Sequence, residues 1–320
     1  MDVSVCIVNW NTREMLRRCL RSLRDHTRGL EFEVIVVDNA SSDGSVAMME
    51  TEFPEVIVVA SAANLGFAKG CNRAAAEARG SFVLYLNPDT ELVSNAIHGM
   101  WRFLLAHSHV GAVGCKLLNS DGSIQLTCAS SFPSTRNELT SLLFLDRLFP
   151  RSRLCSSREL NHWDHLDSQE VECLSGACML MSRDLSRRLG GFDEQLFIYG
   201  EDLDLCCRIS RQGLSLYYLA TEAIYHHEGA ASRKKGRSFA PLFQRAANYY
   251  FLRKHFGRAA AVGYRVAVTL GAGARVVLAG LLSPLWLLGH VSSRERFAAF
   301  LLKHVDVLLW SVGLRSVPSR

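Results

Sequence analysis

Leu84-Tyr85-Leu86-Asn87-Pro88-Asp89 is an apolar run that stops abruptly at a carboxylate. Proline cannot donate to a sheet ladder and Asn-Pro favours a turn, so the strand predicted over Phe82–Leu86 ends there, with Asp89 on its exit. In an open α/β sheet, ligands bind beyond the carboxyl ends of the strands. The chain before this stretch repeats the pattern three times. Val3–Val8 leads through Asn9-Trp10-Asn11-Thr12 into a helix starting near Arg13, with Met15, Leu16, Leu20 and Leu23 on one face and arginines on the other. Glu33–Asp38 leads through a Ser/Asp/Gly loop into a second helix, and Val56–Ala60 leads through Asn64-Leu65-Gly66-Phe67 into an Ala-rich helix ending at Ala78. Such alternation predicts a mainly parallel sheet flanked by helices, with Asn9, Asp38, Asn64 and Asp89 on one edge. No G-x-G-x-x-G follows the first strand, which disfavours a dinucleotide-binding dehydrogenase.

Beyond Asp89 the spacing predicts a helix over Ser94–His107, a strand over Val110–Leu118 and a hairpin-type turn at Asn119-Ser120-Asp121-Gly122-Ser123. Residues 130–169 mix Pro, Ser and Arg and read as a mobile excursion over the site. Ser175-Gly176-Ala177 follows, where small residues let a substrate approach the backbone, and Gly190-Gly191-Phe192-Asp193-Glu194 reads as a turn. Glu201, Asp202 and Asp204 crowd the first turn of a helix, where the dipole favours negative charge. Crowding raises at least one of their pKa values, as a general base requires, and Asp202 is the candidate. Leu214–Leu219 and Ala223–Gly229 read as two strands, the second carrying His226 and His227.

The 320 residues carry a net charge of +5, but residues 1–230 sum to −8 and residues 231–320 to +13. The basic tail predicts an anionic partner. Its charges alternate with aliphatic residues rather than aromatic platforms, which points to a membrane surface and away from nucleic acid. A helix is predicted over Phe239–His255, an apolar run over Val276–Gly289 broken at Ser283-Pro284, and a further apolar stretch over Phe297–Leu314. Fourteen residues are too few to cross a bilayer, for which about 20 are needed. Interfacial helices are therefore expected, with Arg265, Arg275, Arg294, Arg296 and Lys303 facing lipid phosphates. A soluble helical cap, a dimer contact or a hairpin insertion around Pro284 are the alternatives. Ten cysteines without a C-x-x-C pair read as reduced thiols, and no basic-then-apolar leader precedes the first strand, so a cytoplasmic location is expected.

Taken in order, seven blocks resemble the family 2 glycosyltransferases of the GT-A fold, in particular their bacterial rhamnosyltransferase-like branch. They are Val8–Asn11, Val36–Gly44, Asn64–Phe67 with Asn72, Leu86–Asp89, Gly191–Glu194, Tyr199–Asp204 and His226. The resemblance covers residues 3 to about 230 and implies a GT-A catalytic domain over 1–237, with a nucleotide-binding half (1–118) and an acceptor half (119–237). Residues 238–320 would be a helical membrane-associating extension. It implies donor contacts by Asn9, Asn11, Asp38, Asn64, Gly66, Phe67, Asn72, Asn87 and Asp89, an acceptor side at Gly176, Glu201 and Asp204, and Asp202 as the base of an inverting transfer. Asp89 stands at the last position of the family's D-x-D-type motif, whose first position here is Asn87, so the implied Mn²⁺ or Mg²⁺ would need phosphate oxygens of the donor. His226, with His227 as a rival, would be a further ligand. The implied substrates are dTDP-rhamnose, or alternatively a UDP-hexose, and a lipid-linked glycan at the cytoplasmic face of the inner membrane. A sugar-nucleotide or glycan-binding subunit without turnover is the reading from another class.

Overall fold

The computed structural model describes residues 1–227, 239–287 and 291–316. The expected basic run Ser232–Arg237 and the end of the last expected strand lie outside the described residues. The chain divides into two compact units, the first comprising Met1–Phe132 and Trp163–Ala231, the second Pro133–His162 and Ser232–Arg320.

The first unit opens with β1 (Val3–Asn9), α1 (Arg13–His26), β2 (Phe32–Asp38), α2 (Ser45–Glu52), β3 (Ile57–Ala60), α3 (Phe67–Glu77), β4 (Phe82–Leu86), β5 (Thr90–Leu92), α4 (Ala96–Ala106), β6 (Val110–Leu118) and β7 (Ala129–Ser130). In the second unit lie α5 (Thr135–Leu142) and α6 (Leu145–Leu148). The first unit resumes with β8 (Gln169–Val171), β9 (Cys173–Leu174), β10 (Cys178–Ser182), α7 (Arg183–Leu189), α8 (Glu201–Ser210) and β11 (Ser215–His226). The second closes with α9 (Phe239–His255), α10 (Gly257–Leu287) and α11 (Val291–Ser311).

The main sheet runs β3-β2-β1-β4-β10-β6-β11-β5, with β8 also on β11. Strands β1 to β4 are parallel, β10 inserts antiparallel between β4 and β6, and β11 returns parallel to β6. Every residue of β1 is buried, which accounts for its largely apolar run, and the buried Ser4 hydroxyl donates to Glu33 at 2.6 Å. The register pairs Asn9 with Asp38 and Ile7 with Leu86, so the carboxyl ends of β2, β1 and β4 share one edge.

Two features differ from the sequence expectation. The two strands expected over 214–229 are one strand, β11, which absorbs a register shift between Leu219 and Ala223. The three-residue β5, too short to register in the periodicity, follows Asp89 immediately and pairs antiparallel with β11, setting Thr90 opposite His226.

In the second unit, residues 133–162 carry two short helices within the stretch expected as a mobile excursion, the first capped by Ser134, whose hydroxyl accepts from the Asn137 amide at 3.2 Å. Helix α10 runs unbroken through Ser283-Pro284, where the sequence offered a hairpin as one alternative. Its segment Gly257–Leu281, with mean hydropathy 1.3, is long and apolar enough to cross a membrane by length and composition, with a third of its most apolar window buried inside the protein. Two of the expected lipid-facing arginines point elsewhere. Arg265 donates to the carbonyls of Ser311 (2.6 Å) and Trp310 (3.2 Å), and Arg275 to that of Ser141 (3.2 Å). A guanidinium satisfies several helix-end carbonyls at once, which the sequence pattern did not distinguish from a lipid contact. Among the described residues, the large side chains that α10 exposes are Arg258 near its start and, beyond it, the apolar Val262, Val266, Leu270, Val277, Leu278 and Leu281.

Candidate active site

Asn9 and Asp38, at the ends of neighbouring strands, are both buried and joined by a 2.7 Å hydrogen bond from Asn9 Nδ2 to Asp38 Oδ1. The second Asp38 oxygen accepts from the Ser41 amide at 2.8 Å, and Asn9 Oδ1 accepts from the Thr12 hydroxyl at 2.7 Å. The strand ends are thereby held in one geometry. Asn39, quoted in the sequence only as part of a motif, clips the third loop on by donating to the Gly66 carbonyl at 3.1 Å.

The turn after β4 is built from both sides. The Asn87 amide donates to the Ala177 carbonyl at 3.0 Å, and its own carbonyl accepts from the Thr90 hydroxyl at 2.8 Å. Because β5 pairs with β11, His226 is delivered to this turn. His226 Nε2 lies 3.4 Å from Asp89 Oδ1 and 3.2 Å from Asn87 Nδ2. Burial opposes ionisation of Asp89, but the hydrogen bond and charge of a protonated His226 outweigh it and hold the carboxyl below its ordinary range. The rival His227 has both ring nitrogens engaged elsewhere, Nδ1 with the Ser120 hydroxyl at 2.7 Å and Nε2 with Glu91 at 3.2 Å.

Across Gly176-Ala177 from this turn stands α8. Asp202 accepts from the Gly176 amide at 3.3 Å and from the Leu203 amide at 2.8 Å. A Cβ on Gly176 would sit 3.5 Å from Asp202 and 3.6 Å from Phe67, so the glycine keeps the space between them clear. Glu201 is buried, and its carboxyl is pushed up to about 8, first by desolvation and then by the charge of Asp202. Two hydrogen bonds to adjacent residues therefore tie Asp202 and the Asn87–Asp89 turn to opposite ends of one short backbone segment.

The glycosyl transferase family 2 model matches residues 4–190. The chain belongs to glycosyltransferase family 2. Among curated proteins, this transferase is 26% identical over 270 residues to the N-acetylglucosaminyl-diphospho-decaprenol L-rhamnosyltransferase of Mycobacterium tuberculosis, covering 79% of this chain and 85% of that one. It is 25% identical over 152 residues to rhamnosyltransferase WbbL of Escherichia coli K12, covering 46% and 53% respectively. Among solved structures it resembles the mannosyltransferase PcManGT of Pyrobaculum calidifontis, in complex with GDP-Man and Mn²⁺, with a TM-score of 0.58, 18% identity and coverage of 96% and 87%. That likeness establishes the GT-A fold.

Several residues expected at the substrate make contacts within the transferase itself. Asn72, expected on the donor side, receives the Phe192 amide (2.8 Å) and donates to the Phe192 carbonyl (2.9 Å). Asp204, expected on the acceptor side, is fully buried and pairs at 2.7 Å with Arg208, which also donates to the carbonyls of Leu189 and Gly191 at 2.7 Å each. Asn72, Asp204 and Arg208 thus pin the Gly190–Glu194 turn that precedes α8. Asn11 joins two loops, accepting from the Ser42 amide at 2.8 Å, and Asn64 accepts from the Gly66 amide at 3.0 Å. Gly66 has φ 83° and ψ 177°, and a Cβ there would lie 2.5 Å from the Phe197 carbonyl, so chain packing alone demands glycine. Phe67 sits edge-on to Phe192 at 6.0 Å between ring centroids.

Among the described residues no group of three or more His, Cys, Asp or Glu side chains forms a ready metal cage. The pair that does converge, a buried carboxylate and an imidazole nitrogen, fits a divalent cation whose remaining positions are filled by phosphate oxygens.

Proposed function

We propose that this transferase moves a sugar, rhamnose from dTDP-rhamnose, onto a lipid-linked glycan with inversion at the anomeric carbon. The observation that carries the reading is that Asp202 and the Asn87–Asp89 turn are tied to the two ends of Gly176-Ala177, which supports reading Asp202 as the base and Asp89 as the diphosphate anchor. In the transfer, Asp202 accepts the acceptor hydroxyl proton while that oxygen bonds to the anomeric carbon. The bond from that carbon to the diphosphate breaks, and the nucleoside diphosphate leaves. Asn9, Asp38 and Ser41 form the rigid floor for the nucleoside, and Asp89 with His226 would hold Mn²⁺ or Mg²⁺, which when bound neutralises charge on the leaving diphosphate. The names of the relatives support rhamnose and a polyprenyl-linked acceptor.

The test is release of nucleoside diphosphate from a panel of dTDP-rhamnose, UDP-hexoses and GDP-mannose, with Mn²⁺ and a polyprenyl-diphosphate-linked acceptor. Turnover is expected with dTDP-rhamnose, and Asp202→Asn should lower kcat by about 10²–10⁴. Turnover with a UDP-hexose instead would replace the donor, and an unimpaired Asp202→Asn would remove the base.

The exposed apolar residues of α10 support membrane-surface association on the cytoplasmic side, with the tail's excess of Lys and Arg adding attraction to anionic lipid.

A further inference from the structure

The turn Asn119–Ser123 and Gln125, two positions beyond it, are not absorbed by the chemistry above. Gln125 is buried and lies directly behind His226. Its Nε2 donates to the His226 carbonyl at 2.6 Å and to Asn119 Oδ1 at 2.9 Å, while its Oε1 lies 2.9 Å from His226 Nδ1. A backbone carbonyl only accepts, so the Gln125 amide has one orientation, with oxygen toward the ring.

The same logic runs back along the turn. The Ser123 hydroxyl donates to Asp121 at 2.6 Å, so it accepts from Asn119 Nδ2 at 2.9 Å. Asn119 Oδ1 is then the atom left to receive Gln125 Nε2. An acceptor-only carboxylate at Asp121 thus sets the direction of every hydrogen bond as far as His226.

We infer that Gln125 is a positioning residue that fixes the neutral His226 ring as the Nδ1–H tautomer, so that the Nε2 lone pair faces Asn87 and Asp89. The inference rests on the reading of His226 as a cation ligand only for its consequence. The tautomer itself is a property of the metal-free chain. A metal-binding imidazole needs its free nitrogen aimed at the ion, and the hydrogen bond on the other nitrogen decides which one that is. Asn87 Nδ2, a donor 3.2 Å from Nε2, matches that lone pair. The Asp89 carboxylate, 3.4 Å from Nε2, receives a proton from it only when the ring is cationic and Nδ1–H stays on Gln125.

The experiment uses the full chain with ¹⁵N-labelled histidine, free of metal, at a pH where the ring is neutral. Long-range ¹H–¹⁵N correlation spectra report the tautomer, and the His226 signals are assigned by their loss in His226→Asn. The wild type is expected as Nδ1–H, and Gln125→Met as the Nε2–H form or a mixture of the two. Mn²⁺ binding with a nucleoside diphosphate, followed by electron paramagnetic resonance of the free ion, should weaken about 10- to 100-fold in Gln125→Met. An Nε2–H tautomer in the wild type overturns the inference, whether or not the variant folds. An unchanged tautomer in a folded Gln125→Met does so too. If the tautomer depends on Gln125 but His226→Asn binds Mn²⁺ as the wild type does, the positioning role stands and the ligand reading falls.

Discussion

Glu201 is a buried acid whose Oε2 has no hydrogen-bond partner among the described residues, beside Asp202, the proposed base. Removal from water and the neighbouring Asp202 charge both favour its neutral form. An ordinary glutamate titrates near 4.5, and this one at about 8, so across that window the folded chain holds a proton that the unfolded chain releases. Stability is therefore fully present below about 4.5 and declines as pH rises through 8. Glu201→Gln should flatten that decline, with a stability gain at pH 8.5 on the order of a few kcal/mol relative to wild type. Denaturant melts of both proteins from pH 5 to pH 9 check it. Parallel slopes would mean that Glu201 is ionised in the fold.

At the scale of elements, the helix carrying Glu201 and Asp202 is mounted through the turn before it. Arg208 pairs with Asp204 and satisfies two carbonyls, so Arg208→Ala removes the cation beside a fully buried carboxylate and should cost about 3–5 kcal/mol in urea unfolding. Asn72→Ala removes both hydrogen bonds to the Phe192 backbone and should cost about 1–3 kcal/mol, with the KM for the donor nearly unchanged. A large rise in donor KM at wild-type stability would return Asn72 to the nucleotide. The motif read from the sequence as Gly191-Phe192-Asp193-Glu194 has a mechanical reason to exist, since it is the joint between α3, α7 and α8.

At the scale of the whole molecule, the first unit is acidic and the second apolar and basic, and the proposed membrane contact belongs to the second. Leu270→Asp with Val266→Asp, on the exposed face of α10, should lower co-sedimentation with phosphatidylglycerol-containing vesicles by tenfold or more. Arg265→Ala should instead unfold the contact to Ser311 and Trp310, and lower the melting temperature before it lowers vesicle binding. Equal vesicle binding by the double aspartate variant would move the membrane contact away from α10.

The strand and helix alternation through residue 118, the polar strand ends and the acidic turn at 201–204 were all legible in the sequence. Each is encoded by residues within one element, where periodicity and turn chemistry act locally. Other features depended on tertiary structure. That the ring of His226, and not that of His227, lies beside Asn87 Nδ2 and Asp89 Oδ1 follows from pairing β11 against a three-residue strand, and Asn87 and His226 stand 139 positions apart. The amide behind that histidine lies 101 positions upstream of it, and Asn72 meets its turn across 120. Side chains such as Asn72 and Arg265 look the same in sequence whether they face a ligand or a backbone carbonyl. Only the register of strands and the packing of helices determine which of the two they meet.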